Sequence, residues 1–471
     1  MSATATTEKK YLKWYQKLAY GSGDLASNCS YGLVSSFVLL YLTGTLGLDS
    51  AIIGSLMLAS KVLDGISDVI FGTLIDRTHS KLGKARPWML FGQVGVSLCL
   101  FLLFAIPAGS TTMQYIYFFI VYTALNAVFY TANGIAYSSL VALITKNNNE
   151  RVQLGSFRFM FAVVTNIFMG FAVTGMVEKF GSGAAGWRTT ALIFAIVGLV
   201  VNTISCLAVK ELPEEELSGN TSEAAEEGKA VAEEKKHGFA ETAKILIHNK
   251  YYLMILAIYI VYYIMSNLTT GAGVFCATYY WGDGSLLGQF SMMKMFPVII
   301  ALAIAPVLIK KTGSMQKVNF WGYAISSVLG ISMIYFAMQK NLSMFLLFMF
   351  IKGIFAGTLS GSLNALIAEA SGYTTRTTGV HMDGMMYSCS SLGVKVGGGI
   401  GTAAVGWLLK LGGFVGTATV QSESAIRMIF NLYITFPFIL GIVITVLLAF
   451  LDVEKANKKW DADHAQKEAQ A

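Results

Sequence analysis

The sequence predicts an all-α polytopic membrane protein, twelve transmembrane helices arranged as two six-helix halves. Hydrophobic residues make up 55% of the 471 residues and charged residues only 13%, too few charges for the surface of a soluble chain this long. Those charges are clustered, and between them lie apolar runs of roughly twenty residues, the length at which a helix crosses a hydrocarbon core. Loops rich in Lys and Arg also alternate with loops that carry neither, as the positive-inside rule requires of a multi-pass chain. A β-barrel is excluded because its strands would alternate polar and apolar residues.

The spans read 17–43, 51–76, 87–108, 113–143, 153–177, 187–209, 251–281, 285–309, 317–338, 342–370, 379–411 and 427–451. GDGS separates the seventh from the eighth, and SGYTTRTTG the tenth from the eleventh. The loop after span two carries Arg77, Lys81, Lys84 and Arg86; that after span four, Lys146 and Arg151; that after span eight, Lys310, Lys311 and Lys317. The loops after spans one, three and seven carry no Lys or Arg, and Lys179 and Arg188 are the exceptions to the alternation. Both termini and the central loop are therefore assigned to the cytoplasmic side of a cytoplasmic (inner) membrane. The polar start MSATATTEKKYLKW lacks the apolar core of a cleaved signal, which leaves the first helix to direct insertion.

The chain divides into a first half over 1–209, a charged linker over 210–250, a second half over 251–451 and a tail over 452–471. Linker and tail are rich in Ala, Glu and Lys, and both read as solvated segments. A short internal repeat supports the division. GTLIDRTHSKLGK follows span two and APVLIKKTGSMQK follows span eight, and Lys294 falls close to where Lys61 maps.

Several function classes drop out. The net charge of +7 comes from one set of loops, so it is no sign of nucleic acid. Five cysteines, Cys29, Cys99, Cys206, Cys276 and Cys389, lie within spans and are read as reduced thiols. No CxxC, GxSxG or Walker loop occurs, which argues against an enzyme, an organic cofactor and direct drive by ATP.

What remains is a set of charges inside oil, each costing about 3 kcal/mol or more unless paired or hydrated. Lys61, Asp64 and Asp68 fall at i, i+3 and i+7 of span two, on one helix face. The two acids either ligate a small hard cation, helped by Ser67 and Thr131, or share a proton, or are simply bridged by Lys61. Asp24 is the one charge of span one after Lys17, and Arg158 the one charge of SFRFMF in span five; Arg158 either binds a substrate or pairs with Asp24. Span four offers Asn126, Tyr130, Thr131, Asn133, Tyr137, Ser138 and Ser139, polar and aromatic groups that suit a sugar or serve interhelical hydrogen bonds. In span eleven, Lys395 is flanked by Gly393, Gly397 and Gly401, a small-residue stripe for helix packing. The lysine is not explained by packing, and the span-two aspartates are its candidate partners. Lys294 and Lys352 are further cations without an assigned role. Asp76, Arg77, Lys84 and Arg86 at the end of span two are either gate residues or plain positive-inside anchors.

Together GSGDLASN in span one, LDGISD in span two, the loop RTHSKLGKARPW, Arg158, SNLTTGAGVFCATYYWGD in span seven and Lys395 resemble the glycoside–pentoside–hexuronide:cation symporters of the major facilitator superfamily. The resemblance runs from about Leu12 to Asp452. It implies the major facilitator fold and cation-coupled (Na+ or H+) symport of a glycoside or glucuronide by alternating access, in a protein functional as a monomer. By the family pattern, Asp24 and Arg158 are sugar ligands, with Tyr130, Ser390 and Ser391 near the sugar and Lys395 between the two sites. Asp64, Asp68 and Thr131 form the cation site, with Ser67 where the melibiose permease has a sodium-binding asparagine. Asn133–Gly134 replaces the neighbourhood of an acid that this permease uses for galactosides. An uncoupled facilitator and a sugar sensor on the same fold are the alternatives.

Overall fold

The computed structural model describes residues 9–213, 245–379, 383–418 and 420–468, and all regular structure among them is helical. The first half contains α1 (Trp14–Thr45), α2 (Ser50–Asp76), α3 (Arg86–Leu103), α4 (Thr111–Ile144), α5 (Asn148–Lys179) and α6 (Gly183–Leu207). The second contains α7 (Lys250–Tyr280), α8 (Leu286–Thr312), α9 (Met315–Met338), α10 (Leu342–Thr378), α11 (Asp383–Leu411) and α12 (423–450). Eleven helical stretches among the described residues are long and apolar enough to cross a membrane. α2 has the length, 27 residues or about 40 Å at 1.5 Å per residue, but three intramembrane charges set it apart. The chain is a multi-pass membrane protein.

The helix starts are written locally. Asp49 accepts from the Ala51 and Ile52 N–H groups at 2.9 and 3.3 Å, and Ser110, Asn147, Ser314 and Asn341 cap α4, α5, α9 and α10 in the same way. Each side chain satisfies a backbone donor that the first helical turn leaves open. Two longer-range caps repeat between the halves. Glu211, four residues beyond the end of α6, accepts from the N–H groups of Lys84, Ala85 and Arg86 at 2.7, 3.0 and 3.0 Å. Glu454, four residues beyond the end of α12, accepts from Met315 and Gln316 N–H at 2.8 and 3.2 Å and from the Ser314 hydroxyl. A carboxylate thus sits on the positive end of α3 and of α9. Gly83, at φ +109°, makes the turn that presents the first of these N–H groups, and a Cβ there would collide with the Glu211 carboxylate.

Close contacts divide the chain into two compact units. Of the described residues, one holds those through 213 together with Gly273–Gln289 and those of 406–426; the other holds those of 245–272, 290–405 and 427–468. In the first, the start of α2 packs on the end of α11: Ser50 donates to Gly406 O at 2.9 Å, Trp407 to Ser55 at 2.9 Å, and Lys410 pairs with Asp49 at 2.6 Å. In the second, the small-residue stripe of α11 does what its spacing suggests. A Cβ at Gly393, Gly397 or Gly401 would meet Tyr259 Cβ, Ile260 O or Ile264 O at 2.3, 2.5 and 2.6 Å, so α11 lies directly on the α7 backbone.

The linker falls mostly outside the described residues. The tail departs from the solvated segment its composition suggests. Val453–Glu468 is a helix, α13, with Val453 and Asn457 buried one turn apart, and it is joined to α10 through Asn457–Glu369 at 2.9 Å and Arg376–Asp461 at 3.1 Å. Two small residues one turn apart give the charged helix a seat too narrow to show as an apolar stripe.

Candidate functional site

In the first unit α1, α2, α4 and α5 bring intramembrane charges together in two places. On α1, Asp24 accepts from Arg158 of α5 at 2.6 Å, with both side chains mostly buried. The guanidinium lies 4.2 Å from the centre of the Tyr137 ring, and the Tyr137 hydroxyl is 3.5 Å from the same Asp24 oxygen. Tyr137 in turn packs on Tyr20 with the rings tilted by 34° and their centres 4.7 Å apart, and donates to Tyr20 O at 2.7 Å. Arg158 is thus held by a carboxylate and an aromatic face. Its Nε is engaged by Asp24 and the Tyr20 phenol lies against the same guanidinium, so of its five N–H donors some remain for a further acceptor.

The second place is on α2. One oxygen of Asp64 accepts from the Thr131 hydroxyl at 2.6 Å, and the other lies 3.5 Å from the Lys61 ammonium. Thr131 owes its position to a π turn in α4, Ala124–Tyr130, where the extra residue in the turn rotates the following side chains. The same hydroxyl lies 3.0 Å from Asn126 O; its single proton serves the charged acceptor more strongly. Ser67 is turned to its own helix and donates to Asp64 O at 2.9 Å. Asp68, one turn further on, is half-buried.

Between the two acids stands an aromatic pair. Tyr31 of α1 and Tyr130 of α4 stack with centres 5.7 Å apart, and the Tyr130 phenol lies within electrostatic reach of Asp24, Asp64 and Arg158 together.

The structure brings Asp24 to Arg158 and Asp64 to Thr131. It turns Asn133 elsewhere: this side chain is 3% exposed and donates to Gln93 Oε1 at 2.9 Å and Met89 O at 3.3 Å, both on α3. Ser390, Ser391 and Lys395 lie on α11 in the second unit; Ser390 donates to Tyr387 O at 2.8 Å and is half-buried, and Ser391 is exposed. At the end of α2, Asp76 and Arg77 are exposed, whereas Lys84 and Arg86 are tied down. Their N–H groups bind Glu211, and Arg86 Nε donates to Cys206 O at 3.2 Å. Tyr20 and Tyr31 are neighbours of these charges that sequence reasoning passed over. Their spacing from Asp24, one turn before and two turns after, was the available signal.

A family model described as MFS/sugar transport protein matches residues 19–455. The chain belongs to this family. It is a family of transporters, not of enzymes, and the resemblance to cation symporters read from the motifs falls within it. Among the curated relatives of this transporter, the isoprimeverose transporter of Lactiplantibacillus pentosus is 26% identical over 98% of this chain and 93% of its own. The inner membrane symporter YicJ of Escherichia coli (strain K12) is 24% identical over 90% of this chain and 88% of its own. Among solved structures, a D-xylose–proton symporter superposes with a TM-score of 0.65 at 12% identity, covering 94% of this chain and 98% of that one. This likeness carries the fold, the major facilitator arrangement.

Proposed function

We propose that the protein is a secondary active symporter that carries a glycoside or glucuronide with Na+ or H+ across the cytoplasmic membrane by alternating access. The observation that carries the reading is the pair of acid centres in one unit, Asp24–Arg158 and Asp64–Thr131–Lys61, with Tyr31 and Tyr130 between them. In this reading the open fork of Arg158 and the Asp24 carboxylate grip adjacent sugar hydroxyls, and Tyr130 stacks on the apolar face of the ring. The cation enters at Asp64. As Na+ it gathers oxygens from Asp64, Asp68 and Thr131 and displaces the Lys61 ammonium; as H+ it neutralises the carboxylate directly. While no cation is bound, Lys61 compensates Asp64, which lets the empty carrier reorient without an unpaired charge in oil.

Both termini and the basic loops lie in the cytoplasm in this reading, and Asp76 and Arg77 contribute to a cytoplasmic gate. Lys84 and Arg86 anchor the start of α3. Uptake into proteoliposomes under imposed Na+ or H+ gradients tests the coupling. Asp64→Cys is expected to abolish accumulation against a gradient while the protein still folds. Unchanged accumulation in that variant removes Asp64 from the cation site, and wild-type flux that ignores both gradients makes the protein a facilitator.

A further inference from the structure

Two cations in the second unit have no part in this scheme. Lys294 of α8 and Lys352 of α10 line one cavity of about 180 Å³, walled by α7, α8, α9, α10 and α12. Lys294 Nζ donates to the hydroxyls of Thr269 and Thr270 at 3.3 and 3.2 Å. Lys352 makes no hydrogen bond or ion pair among the described residues, and no described residue lining the cavity is acidic. The same wall holds the Tyr323 hydroxyl, on a side chain 2% exposed, which is buried without a hydrogen-bond partner. Ser326, Ser327 and Ser360 add further hydroxyls, and Ser360 is held by Tyr262 at 2.7 Å.

Two lysines line one small space in a low-dielectric interior, and no described residue of that lining offers them a counter-charge. A neutral sugar supplies acceptors but no charge, and a second cation makes matters worse. A single negative charge answers both lysines and accepts from the orphaned phenol of Tyr323. The space is large enough for several waters or one small anionic group. We infer that this cavity is an anion site, taking one negative charge either from a free inorganic monoanion or from the acidic group of a carried solute. The site lies within the second unit, and the inference stands whether or not the coupling scheme above is right.

The test is thermal unfolding of the purified full-length protein, in a low-salt zwitterionic buffer titrated with the choline salts of chloride, nitrate or acetate. A parallel arm compares methyl glucuronide with methyl glucoside. A saturable rise in Tm with one of the monoanions is expected for a free ion. A rise with the glucuronide but not the glucoside, with chloride, nitrate and acetate silent, is expected if the charge arrives on the solute. Lys352→Gln is expected to abolish either response. Tyr323→Phe, which removes one oxygen and leaves the packing, is expected to weaken it about two- to tenfold, the value of one hydrogen bond. The inference is overturned if no monoanion and no acidic sugar moves the wild-type Tm, or if the response survives in both variants. Should Lys352→Gln fail to fold, the wild-type titration and Tyr323→Phe decide between these outcomes.

Discussion

Arg158 illustrates how much one side chain is asked to do: it neutralises Asp24, stacks on Tyr137 and keeps part of its fork open. A lysine retains only the first of these roles. Arg158→Lys is therefore expected to lower sugar affinity at least about tenfold while shifting Tm little, as measured by calorimetric binding on the purified protein; sugar affinity equal to wild type contradicts the assignment. Thr131→Ala removes the 2.6 Å hydrogen bond to Asp64. A bond to a charged acceptor is worth about 1.5–3 kcal/mol, so apparent cation affinity is expected to change about ten- to hundredfold, read from the cation concentration that half-saturates uptake. An unchanged value places the cation elsewhere. Asp24, Asp64 and Arg158 stood out in the sequence because a charge in oil needs a reason. Tyr20 and Tyr31 did not, because aromatic residues are common in any span, and only their register with Asp24 marks them. Asn133 was misleading for a geometric reason. It stands two residues from Thr131, about 200° around the helix, so the α4 face that meets Asp64 and the face that bears Asn133 on α3 are nearly opposite.

Most helices were legible to within a few residues from hydropathy, and Asp49, Ser110, Asn147, Ser314 and Asn341 cap their starts, but α10 runs on to Thr378 through most of SGYTTRTTG, whose polar residues had marked a loop. The π turns were not, because a one-residue bulge leaves the apolar pattern nearly intact. Three of them lie at Tyr41–Thr45 on α1, Cys276–Tyr280 on α7 and Ala124–Tyr130 on α4. The first two occupy matching ends of the two halves. The glutamate caps were also missed, although VKE at 209–211 and DVE at 452–454 stand at equal distances from α6 and α12. Glu211→Ala leaves three N–H groups without their carboxylate, and about 1–3 kcal/mol of stability is expected to go with it. Glu454→Ala is expected to behave alike, and thermal unfolding that detects neither loss contradicts the role of these caps. The Asp49–Lys410 pair gives a pH test. Partial burial pushes the Asp49 carboxyl up, but the Lys410 ammonium and the Ala51 and Ile52 N–H groups outweigh it and hold it below its ordinary value of 3.8. The pair's contribution is thus present above the ordinary carboxylate range and fades as pH falls through the lower folded value. The Tm difference between wild type and Lys410→Gln is expected to be small at neutral pH and to vanish in acid; a difference that grows on acidification contradicts the pairing.

At the scale of the whole molecule, a twelve-span carrier is useful only if its two ligands report on each other. The sequence made the span count and the charged positions plain, but not which charges meet, because contacts such as Asp24–Arg158 join residues 134 apart in the chain. In the proposed scheme a cation at Asp64 favours the arrangement in which Asp24 and Arg158 hold the sugar, through helices that share Tyr31 and Tyr130. Linkage then requires that each ligand change the other's affinity by one common factor. Equilibrium binding to the purified protein tests this directly. Sugar affinity is measured with and without Na+ and across pH, and cation affinity with and without sugar, in wild type and in Asp64→Cys. The account predicts equal factors of about five or more in the wild type, for one of the two cations, and a factor of one in the variant, which still binds sugar. Sugar affinity that is indifferent to both Na+ and pH in the wild type, or coupling that persists in Asp64→Cys, contradicts it.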